Sequence, residues 1–291
     1  MKPAVLVFDA DDTLWMNEWQ YSKAFSEFYA YLYQTFGPYM PNFRALQTRF
    51  EEIDRMLFPV WGVRRGRVSE AMLETYHELR DYFKRGVSAG KRFPKADVVL
   101  WSPESAEKQT GIEARIAQIG DRPFQYKHLR WLRFAQITLD ELKQRGHTLC
   151  VLTSYDGTVW PKKAVYLEAM DYFHHSLAIP AKKTAEDFIK VSGWGSHEPG
   201  TKFYAIGNGE SDITPALEIS DDWHGIYLPH GSTSAYFINE KSDDPYMPPS
   251  MNHPRVLTLD SIRQLRLINF DAFHYCEEKG VKGGFCRTCH H

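Results

Sequence analysis

The stretch Val5-Leu-Val-Phe-Asp9-Ala-Asp11-Asp-Thr13-Leu-Trp15 decides how the rest of the chain is read. An apolar run of strand character, Val5 to Phe8, empties straight into two carboxylates two positions apart. Like charges buried side by side cost on the order of several kcal/mol, or force one of the pair to hold a proton. Asp9 and Asp11 are therefore candidates for a nucleophile and an acid/base partner. The plainer alternative is an Asp-rich turn after an edge strand, and the sequence downstream decides between the two.

Outward from that strand, the chain shows helical rather than β periodicity until about His147. Tyr21, Phe25, Phe28 and Leu32 recur at helical spacing, as do Leu132, Ala135, Leu139 and Leu142. Pro41 to Leu57, Val68 to Lys84 and Glu104 to Ile119 read as further helices, and Gly37-Pro38 and Gly146 as stops. After His147 the rhythm changes. Short strands at Thr148 to Leu152, Leu177 to Ile179, Phe203 to Ile206, Ile226 to Leu228 and Val256 to Leu259 alternate with helices at Lys162 to Met170, Thr184 to Val191 and Asp212 to Ile219. A last helix, Ile262 to Leu267, follows the N-cap pair Asp260-Ser261.

Strands alternating with helices predict an α/β fold, a doubly wound parallel sheet covered on both faces, whose sites lie at the strands' carboxyl ends. The expected organisation is a core of residues 1–15 and 146–268, a helical domain of residues 16–145 inserted after the first strand, and a tail of residues 269–291. In this arrangement the insertion stands over the sheet's active edge.

With 291 residues the chain is long enough for a catalytic domain and an accessory one. A net charge of -2 lacks the concentrated positive surface of a nucleic-acid or membrane partner, so neither is expected and small-molecule or protein substrates are favoured. Ala4 to Phe8 is too short for a signal-peptide core and no later run approaches a membrane span, which predicts a cytoplasmic protein. Cys150, inside an apolar run, reads as a small buried hydrophobe.

Three further strand ends carry the groups that phosphoryl transfer requires. Thr153 and Ser154 end the second core strand in hydroxyls, Lys182-Lys183-Thr184 sets a cation just before a helix, and Gly207-Asn208-Gly209-Glu210-Ser211-Asp212 closes the third core strand with oxygen ligands. In this order, together with Asp-x-Asp-x-Thr-Leu, these segments resemble the four motifs of the haloacid dehalogenase (HAD) superfamily, and the helical insertion is similar by position to its C1-type cap. The resemblance covers the core, about half of the chain. It implies a Rossmann-like core with a cap domain, and the activity of a Mg²⁺-dependent phosphatase acting on a small phosphorylated metabolite. Asp9 is then the nucleophile that forms an aspartyl-phosphate, and Asp11 the acid that protonates the leaving oxygen and afterwards activates water. The Asp9 carboxylate, the Asp11 backbone carbonyl, Asp212 and Asn208 would hold Mg²⁺, and Thr153, Ser154 and the lysine the phosphoryl group.

Two positions depart from a plain match. The spacing to Phe188 favours Lys182 as the motif lysine, whereas the following Thr184-Ala185-Glu186 favours Lys183, the preferred choice. Asn208 is a neutral side chain where the family often has an acid, which implies weaker Mg²⁺ binding. Asp11 separates the phosphatase branch from the dehalogenases, which need no acid for an alkoxide. A phosphomutase of the same fold, or a catalytically silent binding module, remains the alternative.

Other features are read as structural. Arg64, Arg65 and Arg67 beside Trp61 read as a solvated loop rather than an anion site, and His224 and His230 as hydrogen-bonded residues near strand ends. Trp160-Pro161, after the second motif, is a candidate for shaping the site's mouth. In the tail, Cys276, Cys286, Cys289 and His290 offer four ligands to a structural Zn²⁺. Only one C-x2-C is present and the last two ligands are adjacent, so reduced thiols are the favoured reading.

Overall fold

The computed structural model describes residues 2–37, 40–85, 106–229 and 251–275. The chain runs through β1 (Val5–Phe8), β2 (Trp15–Met16), α1 (Glu18–Phe36), α2 (Phe43–Trp61), α3 (Arg67–Arg85) and α4 (Ala106–Gly120). It continues through β3 (Arg130–Trp131), α5 (Ala135–Gln144), β4 (Thr148–Ser154), α6 (Trp160–Tyr166), β5 (His175–Ile179) and α7 (Ala185–Ser192). The described part closes with β6 (Phe203–Gly207), α8 (Thr214–Leu217), β7 (Trp223–Tyr227), β8 (Val256–Thr258), β9 (Ile268–Asn269) and β10 (His274–Tyr275).

Six strands form one sheet in the order β5-β4-β1-β6-β7-β8, every neighbouring pair parallel. The first strand is thus central, with Val5 level with Thr148 on one side and with Phe203 on the other. All four β1 residues are buried, as a strand covered on both faces requires. Val5 and Val7 point to one face, where they join Cys150, Leu152, Phe188, Ala205, Ala216 and Trp223 under α7 and α8. Phe8 points to the other and meets the ring of Phe173 at 6.1 Å.

His147 sets the start of β1 from that side of the sheet. Its Nδ1 accepts the Ala4 N–H at 3.0 Å, and its ring lies edge-on to Phe270 at 4.8 Å. Burial, reinforced by the nearby Arg145, pushes this imidazole down to about 4.

The expected parallel α/β sheet is therefore the one observed, with differences at several helices. The segment from Asp212 is a 3-10 turn, Glu210–Asp212, followed by the four-residue α8, because Pro215 restarts the helix and Asp212 turns back onto the Gly209 amide. Residues Ile262–Leu267 are likewise 3-10 rather than α. The helix expected to reach Met170 ends at Tyr166, and after Glu168, in the left-handed region at φ 52°, a separate 3-10 turn spans Ala169–Asp171.

The chain divides into two compact units, one of residues up to Glu18 with the described residues from Lys127 onward, the other Trp19–Tyr126. Helix α5, which a boundary at 145 assigns to the insertion, instead packs on β4 and on the 3-10 turn Ile262–Leu267. Its buried Ala135, Thr138, Leu139 and Leu142 find their partners there.

The second unit is helical. Phe25 of α1 contacts Phe50 of α2 at 5.2 Å between ring centres, and α3 packs against both α2 and α4. Arg49 of α2 bridges to Glu78 of α3 at 2.5 Å. The arginines near Trp61 have local partners: Arg65 holds Asp121 at 2.5 Å, and Arg67 holds Asp54 at 2.9 Å while covering the Phe58 ring. Among the described residues no helix is long and apolar enough to cross a membrane.

Candidate active site

The site begins where β1 stops. The Asp9 amide still donates to Ile206 of β6 at 2.7 Å, and the chain then turns sharply, with Asp12 in the left-handed region at φ 61° and Leu14 N donating back to Ala10 O at 2.9 Å. This fold-back returns Thr13 to Asp9, its Oγ1 lying 3.1 Å from Asp9 Oδ2. The same hydroxyl lies 3.1 Å from Asn208 Oδ1, one residue beyond the end of β6.

Lys183 supplies the counter-charge. It precedes α7, whose first turn is fixed by a reciprocal cap between Thr184 and Asp187. Its Nζ lies 2.5 Å from Asp9 Oδ1 and 2.7 Å from Asp212 Oδ1. Lys182 is exposed and Lys183 buried, so of the two candidates Lys183 is the one that meets the carboxylates. Asp212 is held in turn by the Gly209 N–H, at 2.9 Å from Oδ2. Gly207 makes room for it: a Cβ at position 207 would stand 2.3 Å from that of Asp212.

Charge explains the electrostatics of this cluster. Burial first, then the neighbouring Asp212, raises the Asp9 carboxyl to about 7 in spite of Lys183. Burial alone would lower Lys183, but the carboxylates of Asp212 and Asp9 outweigh it and hold the ammonium above its ordinary range. The donors that meet here are oxygens: the carboxylates of Asp9 and Asp212, with the Asn208 amide oxygen joined to them through Thr13. Such a set suits a hard divalent cation, which would also favour the ionised form of Asp9 that burial and Asp212 disfavour. No three His, Cys, Asp or Glu side chains converge as a metal cluster among the described residues, so a cation would rest on two carboxylates and neutral oxygens.

Asp11 belongs to a second cluster beside the first. Its Oδ1 accepts from the Trp15 indole at 2.6 Å and from Lys163 Nζ at 2.8 Å, and its Oδ2 accepts from Lys163 at 2.9 Å. Trp15 itself stacks on Trp160, the ring centres 5.9 Å apart. Lys163 was not among the residues expected at the site. A sequence signal for it exists, since Trp160, Lys163, Ala164 and Leu167 make a buried stripe at helical spacing with a lysine in it.

Thr153 and Ser154 end β4 on the same sheet edge. Phe8 is level with Val151, which sets the buried Thr153 one residue beyond the level of Asp9 on the adjacent strand, with the half-buried Ser154 after it. His224 lies elsewhere: it stacks on Tyr204 at 5.3 Å and meets Phe273 at 4.5 Å, and burial lowers its imidazole. His230 and the tail ligands Cys276, Cys286, Cys289 and His290 lie outside the described residues.

No protein-family model matches the sequence, nor does any curated protein. Solved structures do. A haloacid dehalogenase-like family hydrolase from Xanthomonas campestris is 19% identical, with a TM-score of 0.64 over 91% of this chain and 89% of its own. The HAD-hydrolase YfnB from Bacillus subtilis, in a form bound to magnesium, is 13% identical, with a TM-score of 0.52 over 91% of this chain and 97% of its own. Both likenesses run through the sheet and the helical insertion. The chain thus has a haloacid dehalogenase-like fold, a parallel α/β core whose first strand leads into a helical insertion.

Proposed function

We infer that the protein is a Mg²⁺-dependent phosphatase that hydrolyses a small phosphomonoester through an aspartyl-phosphate on Asp9. One observation carries this reading: a buried carboxylate at the end of the central strand, held between Lys183 and Thr13, with Asp212 on the same ammonium. A carboxylate approaching a phosphate dianion at ~4 Å meets repulsion of about 4 kcal/mol per charge pair at an effective dielectric of about 20. Lys183 offsets part of it. Mg²⁺, held by Asp9, Asp212, the Asp11 carbonyl and Asn208, would supply further charge neutralisation at the phosphoryl oxygens.

The chain's own groups account for the bonds. An Asp9 carboxylate oxygen attacks phosphorus as the bond to the leaving oxygen breaks, and Asp11 delivers a proton to that oxygen. Thr153, Ser154 and Lys183 hold the phosphoryl oxygens by donating hydrogen bonds. Water then attacks the aspartyl-phosphate, Asp11 takes its proton, and inorganic phosphate leaves with the Asp9 carboxylate restored.

The test is hydrolysis of p-nitrophenyl phosphate with Mg²⁺, with EDTA, and with the Asp9→Asn variant. Turnover that needs both Mg²⁺ and Asp9 is expected. Undiminished turnover by Asp9→Asn would move the nucleophile elsewhere, and undiminished turnover in EDTA would remove the cation from the reaction.

A further inference from the structure

Lys163 is a fully buried cation one helix away from the nucleophile, and the reaction as derived gives it no task. Its surroundings show what it does. Nζ donates to Asp11 Oδ1 at 2.8 Å, to Asp11 Oδ2 at 2.9 Å and to Asn17 Oδ1 at 3.3 Å, and it lies 3.7 Å from the centre of the Tyr155 ring. An ammonium has three protons, and the Asp11 carboxylate, the Asn17 amide oxygen and the face of the Tyr155 ring occupy its three directions. With no exposed surface and no proton left over, Lys163 has none to offer a substrate, and its influence on the chemistry passes through Asp11.

The Asp11 carboxylate is correspondingly constrained. An ionised carboxylate has about four lone-pair positions. Lys163 and the Trp15 indole fill both on Oδ1, and Lys163 fills one on Oδ2. The position left on Oδ2 has no hydrogen-bond partner among the described residues.

We propose that Lys163 is the positioning residue for Asp11, fixing with Trp15 the carboxyl's orientation so that Oδ2 is the oxygen that exchanges a proton with the leaving group. This rests on the phosphatase reading above. The proton that Oδ2 gives up goes to the oxygen released from phosphorus, and the attacking water returns it, so the cycle closes without another reactant. The ammonium stays in place throughout.

The experiment compares two substrates that differ in how much they need that proton. p-Nitrophenolate leaves readily as an anion, whereas phenolate is a poorer leaving group and depends more on the acid. kcat/KM is measured with Mg²⁺ for p-nitrophenyl phosphate and phenyl phosphate, in wild type, Lys163→Met, Lys163→Gln, Trp15→Phe, Asp11→Asn and the double variant Asp11→Asn/Lys163→Met. Lys163→Met is expected to lose activity on both, with the loss on phenyl phosphate greater by about tenfold or more. Trp15→Phe should show the same bias more weakly, and Lys163→Gln, which keeps one donor, should lie between wild type and Lys163→Met. Adding Lys163→Met to Asp11→Asn should cost nothing further.

Lys163→Met leaves Asp11 without its cation and is the variant at risk of not folding, whereas the double variant replaces the pair by neutral groups and Lys163→Gln keeps a hydrogen bond. Equal losses on the two substrates in Lys163→Gln would reduce Lys163 to a structural ion pair, and additive losses in the double variant would show that it acts independently of Asp11; either result overturns the proposal. Absence of wild-type turnover on either substrate would overturn the phosphatase reading, and the proposal with it.

Discussion

Thr13 and Asn208 meet side chain to side chain at 3.1 Å, although 195 positions separate them in the chain. The contact joins the turn after the first strand to the turn after β6. A hydroxyl has a single proton to give, so Thr13, which also reaches Asp9 at 3.1 Å, couples the amide at 208 to the nucleophile. Exchanging that amide for a carboxylate adds charge where a cation is needed. Asn208→Asp should lower the Mg²⁺ concentration that half-saturates activity, read from a Mg²⁺ titration of phosphate release. An unchanged value would remove position 208 from the cation's surroundings.

The ammonium of Lys183 is what allows Asp9 and Asp212 to stand together out of water. Lys183→Met should destabilise the metal-free protein by about 3–5 kcal/mol, because two buried carboxylates lose their common partner. Mg²⁺ should then raise the variant's unfolding temperature more than the wild type's, by binding only the folded form. Thermal unfolding with and without Mg²⁺ measures both, and equal shifts in the two proteins would contradict the argument.

Gly207 is dictated by contact rather than by backbone angle. A methyl group there would lie 2.3 Å from Asp212 Cβ and 2.8 Å from its Cγ. Gly207→Ala should cost about 1–3 kcal/mol as the strand end yields. Because the displaced carboxylate is the one Lys183 holds, turnover should fall with stability. Urea unfolding that matched wild type would show that the strand end gives way freely.

His147 makes folding depend on pH. Its pKa is about 4 when folded against 6.5 when unfolded, so between these values the unfolded chain binds the extra proton. Stability from this residue is complete above about pH 6.5, declines as pH falls through the window, and is level again below pH 4, with a difference of about 2 kcal/mol between pH 7 and pH 5. The comparison to make is the pH 7 and pH 5 unfolding free energies of wild type and His147→Asn. The variant should show the shallower decline, and parallel declines would assign the dependence to other groups.

Much of this was legible in the sequence because it followed from period and order. Val5 to Phe8 had to be a strand buried on both faces, and the alternation after His147 had to be a parallel sheet. Asp9, Lys183, Asn208 and Asp212 each follow a strand of that sheet, and the structure joins Asp9 to Asp212 through Lys183 and to Asn208 through Thr13. The rest depended on tertiary surroundings that a linear pattern does not carry. Lys182 and Lys183 are chemically alike, and only burial separates them. Lys163 sits in the first turn of a short helix, where a lysine usually reads as solvated, and its task appears only when Asp11 arrives from 152 positions away. Helix α5 was legible as a helix, but which unit its apolar stripe would cover was not.

The place of β1 between β4 and β6 has a consequence for how the protein is made. Val5 finds its partners at residues 148 and 203, so β1 must wait for both of its neighbours to be synthesised. At about 5–20 residues per second, a ribosome takes on the order of ten seconds or more to deliver the second neighbour. Until then an apolar segment followed by three aspartates has at most one of its two neighbours, and closing such distant pairs is the slow part of folding. The nucleophile therefore comes into being late, with its full set of partners only once Asp212 has left the ribosome.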